Sequence, residues 1–190
     1  MLNYRKIIEI LISLQIMIIS TMIPVFIALP DKDTIIKIYD ISITWQIPLI
    51  ILSTLIFRAE VLIKALTLYL ILGLFFLPIF HHGGSLGYLL TPNFGYLLGL
   101  YPLIKIIDLY NKNKFKISVY RFIRYGILGI SSMHLVGIAY ITIQMIYYKQ
   151  TNLLIYNISK YSFAKFGLHI LMLLPITILL RNIQNKNYNK

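Results

Sequence analysis

Residues 74–100 read LFFLPIFHHGGSLGYLLTPNFGYLLGL, and this stretch decides the fold. Pro78, Gly83, Gly84, Gly87, Pro92 and Gly95 interrupt an otherwise continuous apolar pattern. They end one helix, turn the backbone sharply and start another. In lipid, each unpaired N–H or C=O of such a turn would cost several kcal/mol. Irregular backbone between apolar helices therefore belongs inside protein or along a cavity wall, which makes it a pointer to a binding site.

The flanking sequence gives the turn its setting. The chain has 190 residues, 58% hydrophobic and only 13% charged, against about 25% charged in a soluble domain. This composition indicates a single integral membrane domain spanning 1–190. The net charge of +12 does not indicate nucleic-acid binding, because a cationic cytoplasmic face accounts for it. Cysteine is absent, which excludes disulfides and thiolate metal sites. The apolar run after Arg5 and Lys6 is longer than a signal-peptide core and reads as a retained first helix.

A spanning helix needs about 20 predominantly apolar residues. The pattern predicts an all-α protein with six transmembrane helices at about 7–29, 41–57, 61–80, 94–109, 122–147 and 163–180. With both termini cytoplasmic, thirteen of the Lys and Arg residues fall inside and five outside, as the positive-inside rule requires. The turn at 81–92, the loop at 30–40 and the start of the last helix then face outward. The basic stretch from Lys105 to Arg124 reads as an inner loop against anionic lipid, worth about 1 kcal/mol per residue.

Two stretches resemble a known family. DISITWQIPLIIL (40–52) is similar to the segment opening the second helix of BioY biotin-transport proteins. GLFFLPIFHHGGSLGYLLTPNFGYLLG (73–99) resembles that family's Gly-Leu-Pro-x-Phe, glycine-rich turn and Gly-Tyr-Leu-Leu-Gly series. The resemblance implies a bundle like the substrate-binding S-components of energy-coupling-factor (ECF) transporters, capturing biotin from the outer face. It implies as partners a membrane coupling protein and ATPase subunits, or solitary uptake, in a bacterial plasma membrane or a plastid membrane. Alternatives are an S-component for another vitamin and a non-transporting membrane assembly protein.

The chain departs from the family pattern in three places. Tyr161 and Ser162 stand where the family has Gly-Asp before the lysine matched by Lys165. Ser13 and Met17 stand where the first helix usually presents small alanines for docking on the partner. His81 and His82 replace small residues in the outer turn.

The candidate site residues carry two readings each. Lys165 is either a snorkelling interfacial lysine or, with the resemblance, a cation for the ligand's carboxylate. Gln46 is either an interhelical hydrogen bonder or an amide for biotin's ureido ring. Trp45 is either a belt residue or a wall for the apolar ring system, which the resemblance also packs against Phe80 and Tyr88. Gly84 allows a tight turn or close ligand approach. Asn93 caps the helix starting near Phe94 or faces the ligand. No metal is expected: His81 and His82 are adjacent, and His134 and His169 read as isolated in apolar helices, whereas a site needs three or four convergent ligands. No cofactor is implied beyond biotin as cargo. The chain carries no phosphate-binding G-x-x-x-x-G-K-[ST], H-E-x-x-H or G-x-S-x-G motif, so it does not read as an enzyme.

Overall fold

The structure is a computed structural model that describes residues 4–31, 35–81, 83–112 and 119–188. His82 and residues 113–118 of the basic stretch lie outside the described residues. Helix α1 (Tyr4–Met22) leads into an antiparallel hairpin, β1 (Pro24–Asp31) and β2 (Ile35–Thr44). Helices α2 (Gln46–Ile56), α3 (Ala59–Phe75), α4 (Pro92–Lys112) and α5 (Val119–Tyr147) follow. A last helical run comprises α6 (Leu154–Ile158), a π turn (Ser159–Phe163), α7 (Ala164–Leu171) and α8 (Leu173–Tyr188). The chain is thus mostly helical.

The hairpin corrects the all-α expectation and the first two helix boundaries. The first helix stops at Met22 rather than 29, and the second begins at Gln46 rather than 41. The apolarity of β1 conceals this change, because periodicity alone cannot tell a short apolar strand from a buried helix. The local chemistry can. Pro24 and Pro30 cannot donate helical hydrogen bonds, and Val25, Ile27, Ile36, Ile38, Ile41 and Ile43 are β-branched residues that favour strands. The register pairs Pro24 with Thr44 and Asp31 with Ile35, with an irregularity between Pro24 and Phe26.

The third helix also ends early, at Phe75, and irregular backbone follows. Val119–Tyr147 and Thr151–Asn182 are each long and apolar enough to cross a membrane. The outer surface supports that setting: Ile8, Leu11, Ile19, Leu135, Ile143, Leu174 and Ile178 are all exposed. So large an apolar exterior is an interaction surface, here for lipid.

Inside, α4 packs along α5, with Gly95 against Tyr140 and Gly99 against Met133. Ile50, Ile51, Leu62, Leu66, Leu103, Ile104, Ile107 and Ile130 are buried side chains of one core. Ser13 and Met17, which stand where the family presents its docking alanines, are both 1% exposed. They pack inward, so they form no outward docking face.

Candidate binding cavity

The irregular segment after α3 buries Phe80 and Tyr88 and leaves Phe76, Leu77, Leu86 and Leu90 exposed, and side chains from three helices satisfy its carbonyls. Thr21 donates to the Ile79 carbonyl at 3.2 Å and Tyr69 to the same oxygen at 3.4 Å. Tyr140 donates to the Leu89 carbonyl and Gln144 to that of Leu90. Buried carbonyls outside regular structure need such partners. The segment is also strained: Ser85 has φ 146°, a region that costs a non-glycine residue about 1–3 kcal/mol. A 3-10 turn, Leu86–Leu90, then delivers the chain to α4.

Beneath this turn lies a cavity lined by Ile43, Thr44, Gln46, Ile47, His81, Tyr88, Asn93, Tyr96, Leu97, Leu100, Met133, Tyr161, Lys165 and His169. The end of β2 and the start of α2 form one wall. The turn and α4 form a second, α5 contributes Met133, and the last helical run closes the third. The lining is apolar and aromatic, with a few polar groups, as small-molecule sites usually are.

Four of the seven residues singled out from the sequence meet here: Gln46, Tyr88, Asn93 and Lys165. Gln46 lies near the Tyr69 hydroxyl, yet its Nε2 is buried with no hydrogen-bond partner of good geometry. Such an orphan donor costs about 1–3 kcal/mol unless something in the cavity accepts from it. Lys165 places its Nζ 5.6 Å from the centre of the Tyr161 ring, within cation–π range. Tyr88 donates to the His81 carbonyl at 3.3 Å. Burial pushes its phenol up to about 12, with Tyr161 contributing, so it stays a protonated donor at neutral pH. Asn93 faces the cavity and does not cap a helix. Pro92 opens α4, so Thr91 holds the residue before it and bonds the Tyr88 carbonyl at 2.8 Å.

The other three, Trp45, Phe80 and Gly84, are not part of that lining. Trp45 closes the junction between hairpin and α2, its N–H donating to the Ile23 carbonyl at 3.0 Å. Phe80 is buried between Tyr69 and Tyr88, with ring centres 5.1 and 4.6 Å away, and so positions Tyr88. Gly84 backs onto the end of α3. A Cβ there would lie 2.6 Å from the Gly73 and Leu77 carbonyl oxygens.

Sequence reasoning passed over Tyr96, Tyr161 and His169. The signal was present in part, since Tyr161, Lys165 and His169 recur every four residues along one helix face. The reading of His134 and His169 as isolated is overturned. His134 Nε2 lies 3.0 Å from His169 Nδ1, and its Nδ1 lies 3.1 Å from Ser162 Oγ, which is 2.5 Å from Tyr96 Oη. The four form a continuous hydrogen-bonded chain from three separate helical segments. The close approach of Tyr96 to α5 needs glycine at 137, where a Cβ would fall 2.5 Å from the ring.

The comparisons with known proteins agree with this architecture. The solved structure of an S-component for biotin from an ECF-type ABC transporter superposes with a TM-score of 0.62. The two share 17% identity, over 97% of this chain and 95% of that one, so the likeness is one of fold. No curated protein sequence matches this chain. The sequence model of the BioY family matches residues 2–182, nearly the whole length. The chain is a member of the BioY family.

Proposed function

We propose that this protein is the substrate-binding component of an ECF-type transporter and takes up biotin. The observation that carries the reading is the cavity itself. It sets an ammonium, Lys165, and an unpartnered amide donor, Gln46 Nε2, in an aromatic and apolar wall under the family's glycine-rich turn. Biotin has a matching order of groups: a carboxylate, an apolar ring and a ureido carbonyl. Lys165 holds the carboxylate through a charge-assisted hydrogen bond. Gln46 donates to the ureido oxygen, and Tyr88 and Tyr96 pack the ring system. Family membership and the likeness to a biotin S-component support the same reading.

In this reading the chain crosses the membrane six times with both termini cytoplasmic, and the hairpin and the 81–92 turn cover the ligand on the outer side. It performs no chemistry. Energy comes from a separate coupling protein and ATPase subunits, or uptake is solitary, in a bacterial or plastid membrane. Calorimetry of the detergent-purified chain tests it, with riboflavin and thiamin as controls. Saturable biotin binding that Lys165→Ala weakens is the expected result. A folded sample that binds no biotin overturns the assignment and favours another vitamin or a non-transport role.

A further inference from the structure

The chain Tyr96–Ser162–His134–His169 has a property that follows from counting its protons. Each link is a single hydrogen bond, so each joint needs one donor and one acceptor. The two imidazoles meet nitrogen to nitrogen at 3.0 Å, so one ring donates and the other accepts. Ser162 has one hydroxyl proton and two partners, Tyr96 and His134; accepting from both would leave that buried proton without an acceptor, so with neutral rings it goes to one of the two. Two arrangements remain. In one, both histidines carry Nε2–H, Tyr96 gives its proton to Ser162, and the phenol oxygen meets the cavity as an acceptor. In the other, both carry Nδ1–H, Ser162 gives its proton to Tyr96, and the Tyr96 O–H is free to donate into the cavity.

Lys165 selects between them. It lies one turn before His169 on α7 and shares the cavity with it, and Nε2 is the His169 nitrogen not engaged by His134. An ammonium at that end repels an outward N–H on His169 Nε2 and attracts its lone pair. Tyr96 and Phe166 hold the His134 ring edge-on, with centres at 5.4 and 5.2 Å. The π turn at Ser159–Phe163 carries Ser162 into this line, where it is buried. Such turns recur at functional sites.

We infer that His134 and His169 are positioning residues, both Nδ1–H tautomers, which act through Ser162 to make Tyr96 a hydrogen-bond donor toward the ligand. Tyr96, Gln46 Nε2 and Lys165 then present donors only, and they select a ligand that offers acceptors: a carboxylate and a urea carbonyl. This rests on the biotin reading for the ligand's identity, but not for the tautomers.

Two measurements test it. The first is the nitrogen-15 spectrum of histidine-labelled wild-type protein in detergent at neutral pH. The expected result is Nδ1–H on both buried rings; Nε2–H on both overturns the inference. The second compares biotin with iminobiotin, whose ureido oxygen is replaced by a protonated imino nitrogen. A donor facing a donor should weaken wild-type binding by about tenfold to a hundredfold. Ser162→Ala frees Tyr96 to turn and accept, and His134→Phe cuts the chain while keeping the edge contacts. Each should shrink the biotin preference by about fivefold to tenfold. An unchanged preference in folded variants overturns the inference. If neither variant folds, the wild-type spectrum decides alone. Nδ1–H tautomers in a protein that binds no biotin support the relay and overturn the ligand reading.

Discussion

Gly84 stands in the family's glycine-rich turn, and the structure gives it a packing role that can be separated from ligand contact. Its φ is ordinary, so alanine is conformationally permitted there; only space is at issue. The added Cβ would sit 2.6 Å from the Gly73 and Leu77 carbonyl oxygens and 2.8 Å from Pro78 Cα. All three are backbone atoms, so no side-chain rotation relieves the clash, and the turn must move off the end of α3. Overpacking of this kind costs about 1–3 kcal/mol. For a chain of this size that corresponds to roughly 2–12 °C in melting temperature. Gly167→Ala is the matched control, since nothing lies within 4 Å of a Cβ there. On helix α7 it should stabilise by about 0.5–1 kcal/mol. Thermal unfolding of both variants in one detergent reads the difference. Equal melting temperatures for Gly84→Ala and the wild type would refute the packing argument, and with it the placement of the turn against α3.

The other expected outcomes concern the cavity and the inner face. Lys165→Ala removes a charge-assisted hydrogen bond worth about 1.5–3 kcal/mol, so biotin affinity should fall by roughly tenfold to 150-fold in calorimetry. A loss confined to expression level would return Lys165 to interfacial anchoring. Gln46→Met replaces an orphan donor by an apolar chain of similar length, so the ligand-free protein should melt higher while binding weakens by about tenfold. Both readouts falling together would mean that Gln46 Nε2 already has a structural partner. Glu60 receives a hydrogen bond from Lys64 at 3.0 Å and lies 3.8 Å from Lys6 Nζ on α1. The Lys64 hydrogen bond first, then the charge of Lys6, holds its carboxyl below the usual value of 4.5. A depressed carboxylate stabilises the fold above the unfolded value and stops doing so as pH falls through the folded one. A small loss of stability below about pH 4.5 should therefore disappear in Glu60→Gln, and added salt should shrink it, because the pair is exposed.

Much of the architecture was legible in the chain. Long apolar runs and the glycine–proline break after Leu77 identify apolar helices joined by an irregular turn, because backbone polar groups in an apolar setting leave few alternatives. The hairpin at 24–44 was not legible through hydropathy. There β1 is as apolar as a helix and runs on from the first one, and the hairpin was marked only by Pro24, Pro30 and, in β2, by isoleucines alternating with Asp40, Ser42 and Thr44. In the cavity, Gln46, Tyr88, Asn93 and Lys165 were recognisable because a polar group beside an irregular turn in an apolar sequence stands out. Trp45, Phe80 and Gly84 share that neighbourhood in sequence, yet they brace the wall instead of lining it. Sequence proximity does not settle which way a side chain points where the backbone has no regular period.

What the sequence determined alone is the class of molecule and the irregular turn beside which the cavity lies, since both follow from composition and local backbone chemistry. What only the tertiary structure decided is the polar chain within it. Tyr96, Ser162, His134 and His169 come from segments up to 73 residues apart, and each by itself is an ordinary residue in an apolar helix. Their meeting depends on the approach of α4 to α5 at Gly137 and on the π turn that brings Ser162 into line. Hydrogen bonding acts over about 3 Å, so a pattern along the chain cannot report it until packing has set those distances.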